Sequence, residues 1–295
     1  MVNRVTDSSI STRVLANLQR NIQKGEKIQE QLSSGKQLNR PSDSPNGTLQ
    51  SMQLRGESRA NSQYLRSSGD GLGWLSTLDG TLSSTSTILQ KARSLTVQGL
   101  NAGAGSGESQ AAISQELDQI KTTILGYANT TYLDRPVFGG TTTGTKAFGE
   151  DGQFIGNRDA VQRTVGPNSQ VRVDMDGVSA FGEGDASVFK VLDDISTALK
   201  NNDMDAVGKG LERLDAAANN VKNSLSDVGA RYNRITQMKS SAEDRLLDVT
   251  SQLSEVEDVD LPKTIMEMQL QQTSYQAALA ASAKVIQPSL IDFLR

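Results

Sequence analysis

One heptad seam in the second half of the chain constrains the fold more than any other feature. From Val207, alternating steps of four and three residues land on Leu211, Leu214, Ala218, Val221, Leu225, Val228, Tyr232, Ile235, Lys239, Ala242, Leu246, Val249, Leu253 and Val256. All but Lys239 are apolar, and the residues between them are mostly polar. A 3.5-residue repeat held this long predicts a helix with one stripe buried against other helices. At about 1.5 Å per residue, such a segment is a rod of roughly 75 Å.

The same spacing recurs. Leu75, Leu78, Leu82, Leu89 and Ala92 share a phase that Thr85 and Thr96 interrupt. Ile113, Leu117, Ile120, Ile124 and Tyr127 form a shorter stripe, and Val188, Leu192, Ile195 and Leu199 another. Gly103-Ala104-Gly105-Ser106-Gly107 reads as a turn between antiparallel helices. Ser44-Pro45 has the form of an N-cap followed by proline at the first helical position. The six prolines leave 46–135 and 168–261 free of helix breakers.

The two ends carry thinner stripes. Val14, Leu18, Ile28 and Leu32 share one phase near the N-terminus. Near the C-terminus the phase runs Leu261, Ile265, Met268, Gln272, Tyr275, Leu279, Ser282 and Ile286, on to Leu290 and Phe293. It slips by one residue from the preceding rod at Asp258-Val259-Asp260-Leu261-Pro262, which predicts a joint and a new helix capped by Asp260. Stripes this narrow make marginal helices in isolation. The ends are therefore expected to pair with each other, with other subunits, or with both. The apolar positions Val14, Leu18, Ile28, Leu32, Ile265, Met268, Tyr275, Leu279, Ile286, Leu290 and Phe293 are the expected assembly interface.

Residues 135–186 differ in kind. They are rich in glycine and hold Phe138, Phe148, Phe154 and Phe181. Ala160–Val165 and Gln170–Met175 alternate with period two, Lys146–Phe148 suits a short strand, and Asp176-Gly177 offers a hairpin turn. The expected fold is mainly α with a small β insert: a long antiparallel coiled-coil or helical-bundle rod built from both N- and C-terminal segments. The expected division is terminal helices in 1–42 and 260–295, a helical rod in 43–134 and 187–259, and an outward-facing β domain in 135–186.

Composition removes most chemistries. With neither histidine nor cysteine, no Ser-His-Asp or Cys-His nucleophile, zinc finger or disulfide can form. Gly139–Ala147 lacks the lysine and hydroxyl spacing of a phosphate loop, and Asp174-Met175-Asp176-Gly177 lacks the later ligands of a calcium loop. Asp193-Asp194 and Glu255/Glu257/Asp258 read as solvated helix faces. No enzyme activity and no cofactor are expected. The net charge of −4 argues against nucleic-acid binding, and no apolar run is long enough to insert in a membrane. Residues 1–40 are locally basic, which suits a helix meeting acidic surfaces of neighbouring subunits. Met1–Asn17 lacks the apolar core of a signal peptide, so any export is expected to use a route that needs none.

Two separated motifs carry a family resemblance. Gln31-Leu32-Ser33-Ser34-Gly35-Lys36-Gln37-Leu38-Asn39-Arg40-Pro41-Ser42-Asp43 resembles the N-terminal "LSSG…N…D" stretch of flagellins and flagellin-like proteins. Glu257-Asp258-Val259-Asp260, Gln271-Gln272 through Leu279, and Ser289 to Arg295 resemble that family's C-terminal elements. Tyr132-Leu133 to Phe138-Gly139-Gly140-Thr141 is similar to its turn into the variable region. Within the family, Pro41 with Pro45, the ending Asp292-Phe293-Leu294 and the short insert resemble the members that join hook to filament. A short flagellin is the alternative, and a secreted adhesin or effector module a more distant one. The resemblance implies a structural, motility-related role in the bacterial flagellum, outside the cell after type III export. The partners it implies are hook-associated protein 1 on the hook side, flagellin on the filament side, copies of the same chain in a ring, and an export chaperone on the C-terminal helix.

Overall fold

A computed structural model describes residues 7–101 and 107–286, with side-chain surroundings for 12–101 and 107–283. The glycine-rich turn expected at 103–107 falls almost wholly outside the described residues, as do Leu290 and Phe293 and the side chain of Ile286. Seven α-helices occur among the described residues, in chain order α1 (Asp7–Ser34), α2 (Pro45–Asn101), α3 (Gly107–Ala128), α4 (Gly177–Phe181), α5 (Val188–Lys200), α6 (Met204–Glu257) and α7 (Leu261–Ile286). A 3-10 turn at Gly184–Ala186 and two small antiparallel pairs accompany them: β1 (Thr131–Tyr132) with β2 (Arg135–Pro136), and β3 (Gln162–Gly166) with β4 (Ser169–Arg172). The chain divides into two compact units, one of 1–59 with 246–295 and one of 60–245.

The heptad reading of α6 holds. Every seventh residue from Val207 through Leu214, Val221, Val228, Ile235, Ala242 and Val249 is buried. In the alternate set Leu211, Ala218, Leu225 and Leu253 are half-buried and Tyr232 is exposed, whereas Ala217 and Ser224, one residue earlier than expected, are buried. Ser44 caps α2 as expected, its hydroxyl accepting from the Gly47 N–H at 3.1 Å.

The core of the 60–245 unit is helical. Leu75, Leu78, Leu82, Leu89 and Ala92 of α2 pack with Ile113, Leu117, Ile120 and Ile124 of α3 and with the stripe of α5. Thr85 and Thr96, the interruptions in the α2 stripe, are also fully buried. Each hydroxyl donates to the carbonyl four residues earlier, Thr81 and Ala92 respectively, at 2.8 Å. A threonine satisfied this way presents only its methyl group to the core.

Beside these helices, residues 131–186 pack on an aromatic cluster. Phe148 lies 5.4 Å from Phe154, 5.5 Å from Phe181 and 5.4 Å from Phe189 of α5, between ring centroids. Edge-on and tilted contacts of this kind set ring edges against ring faces. The hairpin expected at Asp176-Gly177 is not there. The chain turns at Pro167-Asn168, between β3 and β4, with Asn168 at φ 127°. Asp176 instead caps α4, accepting from the Val178 N–H at 3.1 Å and the Ser179 hydroxyl at 2.9 Å. The same Asp-Gly pair serves a hairpin or a helix start, and here the side-chain bond selects the helix. At Lys146–Phe148 the expected strand is reduced to a single bridge between Phe148 and Phe154.

Candidate functional site: the paired terminal helices

The unit of 1–59 and 246–295 contains both helices expected to mediate assembly. They pair antiparallel. Half-buried positions on α1 include Val14, Leu18, Asn21, Gly25, Ile28 and Leu32; on α7 they are Met268, Gln271, Tyr275, Ala278 and Ser282, with Thr264 buried. Both sets follow steps of four and three, the signature of a two-helix seam. At its centre the Gln271 side-chain amide donates to the Asn21 carbonyl at 2.8 Å. Gly25 lies opposite, where an added Cβ would sit 4.0 Å from the Gln271 side chain.

This seam uses only part of the apolar stripe read from the sequence. Met268 and Tyr275 belong to it, together with Val14, Leu18, Ile28 and Leu32. Leu261, Ile265 and Leu279 do not, and remain 43–49% exposed. Met266 and Leu270 of α7 and Leu15 and Ile22 of α1 are exposed as well. The helix pair thus closes on apolar side chains interleaved with small and polar ones, and further large apolar side chains line its outside. Such a surface is an interaction site wherever it is contiguous.

The two sequence motifs meet where the pair ends. Gly35 terminates α1 at φ 68°, the left-handed conformation that a glycine C-cap supplies. The next residues form a two-rung bridge to the far motif. The Gln37 N–H donates to the Glu257 carbonyl at 2.6 Å, and the Val259 N–H to the Gly35 carbonyl at 3.1 Å. The Lys36 ammonium reaches Asp258 at 2.5 Å and Glu257 at 3.4 Å. Asp260 caps α7 as expected, accepting from the Lys263 N–H at 3.1 Å.

Glu257 is the hub of this clasp. Its side chain is 4% exposed, which overturns the solvated-face reading for this residue, while Glu255 is exposed as expected. The Arg55 guanidinium donates two bonds to it, at 2.6 and 2.8 Å, and the Ser51 hydroxyl donates a further one. These donors, Arg55 first, hold its carboxyl at about 2, against the partial cost of burial. Lys36 depresses Asp258 in the same way and is itself raised by it. Asp43, bonded by Lys27 and by the N–H groups of Arg40 and Asn39, is also lowered. Serine and arginine four apart on α2 were a detectable signal for a carboxylate partner, but nothing local pointed to one 202 residues away.

The seam and the clasp hold helices together through packing, hydrogen bonds and ion pairs. Among the described residues no group of three or more acidic side chains could hold a metal ion, and no helix is long and apolar enough to cross a membrane.

Comparison with known proteins points the same way. The N-terminal helical region of bacterial flagellin matches residues 5–142, and the C-terminal helical region matches 211–294. Flagellar hook-associated protein 3 of Escherichia coli is 29% identical over 280 residues, covering 86% of this chain and 88% of that one. A flagellin of Halalkalibacterium halodurans is 28% identical over 271 residues, covering 90% of both. In three dimensions, flagellar hook-associated protein 3 of Legionella pneumophila superposes with a TM-score of 0.62 at 14% identity, covering 70% of this chain and 98% of that one. At that identity the likeness concerns the fold.

Proposed function

The chain belongs to the bacterial flagellin family and is a structural component of the flagellum, and from that membership we propose that it forms the junction between hook and filament. The observation that carries the assembly part of this reading is the row of exposed leucine, isoleucine and methionine side chains on the outside of the α1–α7 pair. A folded chain leaves such residues uncovered where another chain completes the packing. In this proposal 1–42 and 260–295 form the inner assembly domain, 43–134 and 187–259 the rod, and 135–186 the outward part. Leu279 and Ile265, with the other exposed apolar residues of α7, meet neighbouring subunits, and the half-buried stripe positions hold α1 to α7.

The partners in this reading are hook-associated protein 1 on one side, flagellin on the other, and copies of the chain itself in a ring. The chain would reach its place outside the cell by flagellar type III export, with a chaperone on the C-terminal helix until then. Similarity to hook-associated protein 3 over most of both chains favours the junction. Near-equal similarity to flagellins keeps the filament subunit as the second reading. Electron microscopy of cells lacking the protein separates them. The junction reading expects hooks without filaments and flagellin shed into the medium. Complete hooks with another flagellin's filament attached would overturn it.

A further inference from the structure

Three cations on α1 form no ion pair among the described residues, and three anions on α6 match them in spacing. Arg13, Arg20 and Lys24 are exposed and lie off the half-buried seam of α1. Arg20 and Lys24 line a groove of about 720 Å³ between α1 and Ala278 of α7. Asp244, Asp248 and Glu255 are exposed on α6, on the side away from buried Ala242 and Val249. Their near neighbours are engaged, Lys27 with Asp43, Glu30 with Arg40, and Lys239 with Glu243. None of these six forms an ion pair among the described residues.

The spacing decides how they can meet. Along α1 the cations are separated by seven and then four residues; backwards along α6, from Glu255, the anions are too. Steps of seven and four keep one helix face, so the stripes are in register when the helices run antiparallel. They cannot meet within one chain. The clasp puts the C-terminal end of α1 beside Glu257, and Arg13 lies roughly 30 Å back along α1 from there, whereas Glu255 is two residues from the clasp.

We propose that α1 of one copy lies antiparallel along the C-terminal part of α6 of a second copy, Arg13 against Glu255, Arg20 against Asp248 and Lys24 against Asp244. This rests on the assembly reading above and gives it a partner surface. Exposed ion pairs contribute little each, so the stripes fix register and direction. Leu247, 71% exposed and next to Asp248, supplies apolar area at the same place. The two surfaces differ, so the contact is head-to-tail and propagates from copy to copy, as a ring or helix requires.

The absence of native cysteine makes the test direct. The double variant Arg20→Cys with Asp248→Cys is expressed in motile cells, and isolated hook–filament preparations are oxidised. The expected result is a ladder of dimers, trimers and higher species, since each copy offers one thiol on each surface. Only cross-linked dimers, a monomer closed on itself, or no cross-link in normally assembled appendages would each overturn the proposal. Charge reversal gives an independent measure. Arg20→Glu or Asp248→Lys alone should lower incorporation roughly tenfold, and the two together should restore it. A double variant no better than either single one would also sink it. Immunolabelling of the wild-type chain on the same preparations distinguishes the failures: a labelled appendage without the ladder rejects this contact alone, and an unlabelled one rejects the assembly reading with it.

Discussion

Arg55 grips Glu257 through two parallel hydrogen bonds of 2.6 and 2.8 Å, joining α2 to the last residue of α6. The carboxyl sits at about 2 when folded, against an ordinary value of 4.5. A depressed carboxylate contributes stability that is fully present above its unfolded value and is lost as pH falls towards the folded one. The clasp should therefore weaken between about pH 4.5 and pH 2. Because Arg55 is half-exposed, solvent screening reduces the effect to about 2 kcal/mol. Glu257→Gln should remove that pH dependence and cost a similar amount at neutral pH. Urea melts of wild type and variant at pH 7, 4 and 2.5 check it; parallel pH dependences would show that the clasp does not control stability.

The aromatic cluster makes a simpler prediction. Phe148 is fully buried among Phe154, Phe181 and Phe189. Phe148→Ala leaves a cavity that rigid neighbours cannot fill, at a cost of about 3–5 kcal/mol. Thermal denaturation should show a large drop in melting temperature, and a fall under about 1 kcal/mol would mean that the cluster relaxes around the gap.

Two glycines of the same helix should respond in opposite directions. A Cβ on Gly210 would lie 2.5 Å from the Ile195 side chain, so α5 and α6 approach closely there. Gly229 has open space around the same position. Alanine at 229 should stabilise by about 0.5–1 kcal/mol through helix propensity. Alanine at 210 gains the same propensity but pays overpacking of about 1–3 kcal/mol, and should be net destabilising. If both variants proved more stable, the close approach at Ile195 would carry no energetic weight.

How much of this was legible beforehand depended on how local each signal was. The α6 seam was plain because every seventh residue, Val207 to Val249, repeats the same apolar choice over one unbroken helix. Thr85 and Thr96 looked like gaps only because hydropathy counts a hydroxyl as polar, whereas a helix lets it bond its own backbone. Asp176-Gly177 was ambiguous because one dipeptide serves both turn and cap. Glu257 was hidden for a different reason: its partners Ser51 and Arg55 are brought to it only by the fold, and an acidic run resembles a wet surface until they arrive. In α7 the sequence displays an apolar stripe through Leu261, Ile265, Met268, Tyr275 and Leu279, yet the contact with α1 uses Thr264, Gln271, Ala278 and Ser282 for much of its length.

That division of α7 yields the last prediction. If Leu279 and Ile265 packed against α1, aspartate there would place a charge in a buried seam and melt the pair. They are instead 43% and 48% exposed, so a charge stays in water in the isolated chain. Leu279→Asp and Ile265→Asp should leave the far-ultraviolet circular dichroism and melting temperature of the purified protein nearly unchanged. In the assembled appendage, the same charge would meet an apolar neighbour and cost several kcal/mol if unpaired, enough to abolish incorporation. Tyr275→Asp is the contrasting case. Its position lies in the half-buried seam, so it should loosen the α1–α7 pair before any partner is involved, seen as faster hydrogen exchange over 14–32. Normal incorporation of Leu279→Asp and Ile265→Asp would remove the outer face of α7 from the assembly, and loss of helicity in the isolated variants would place both residues in the intramolecular seam after all.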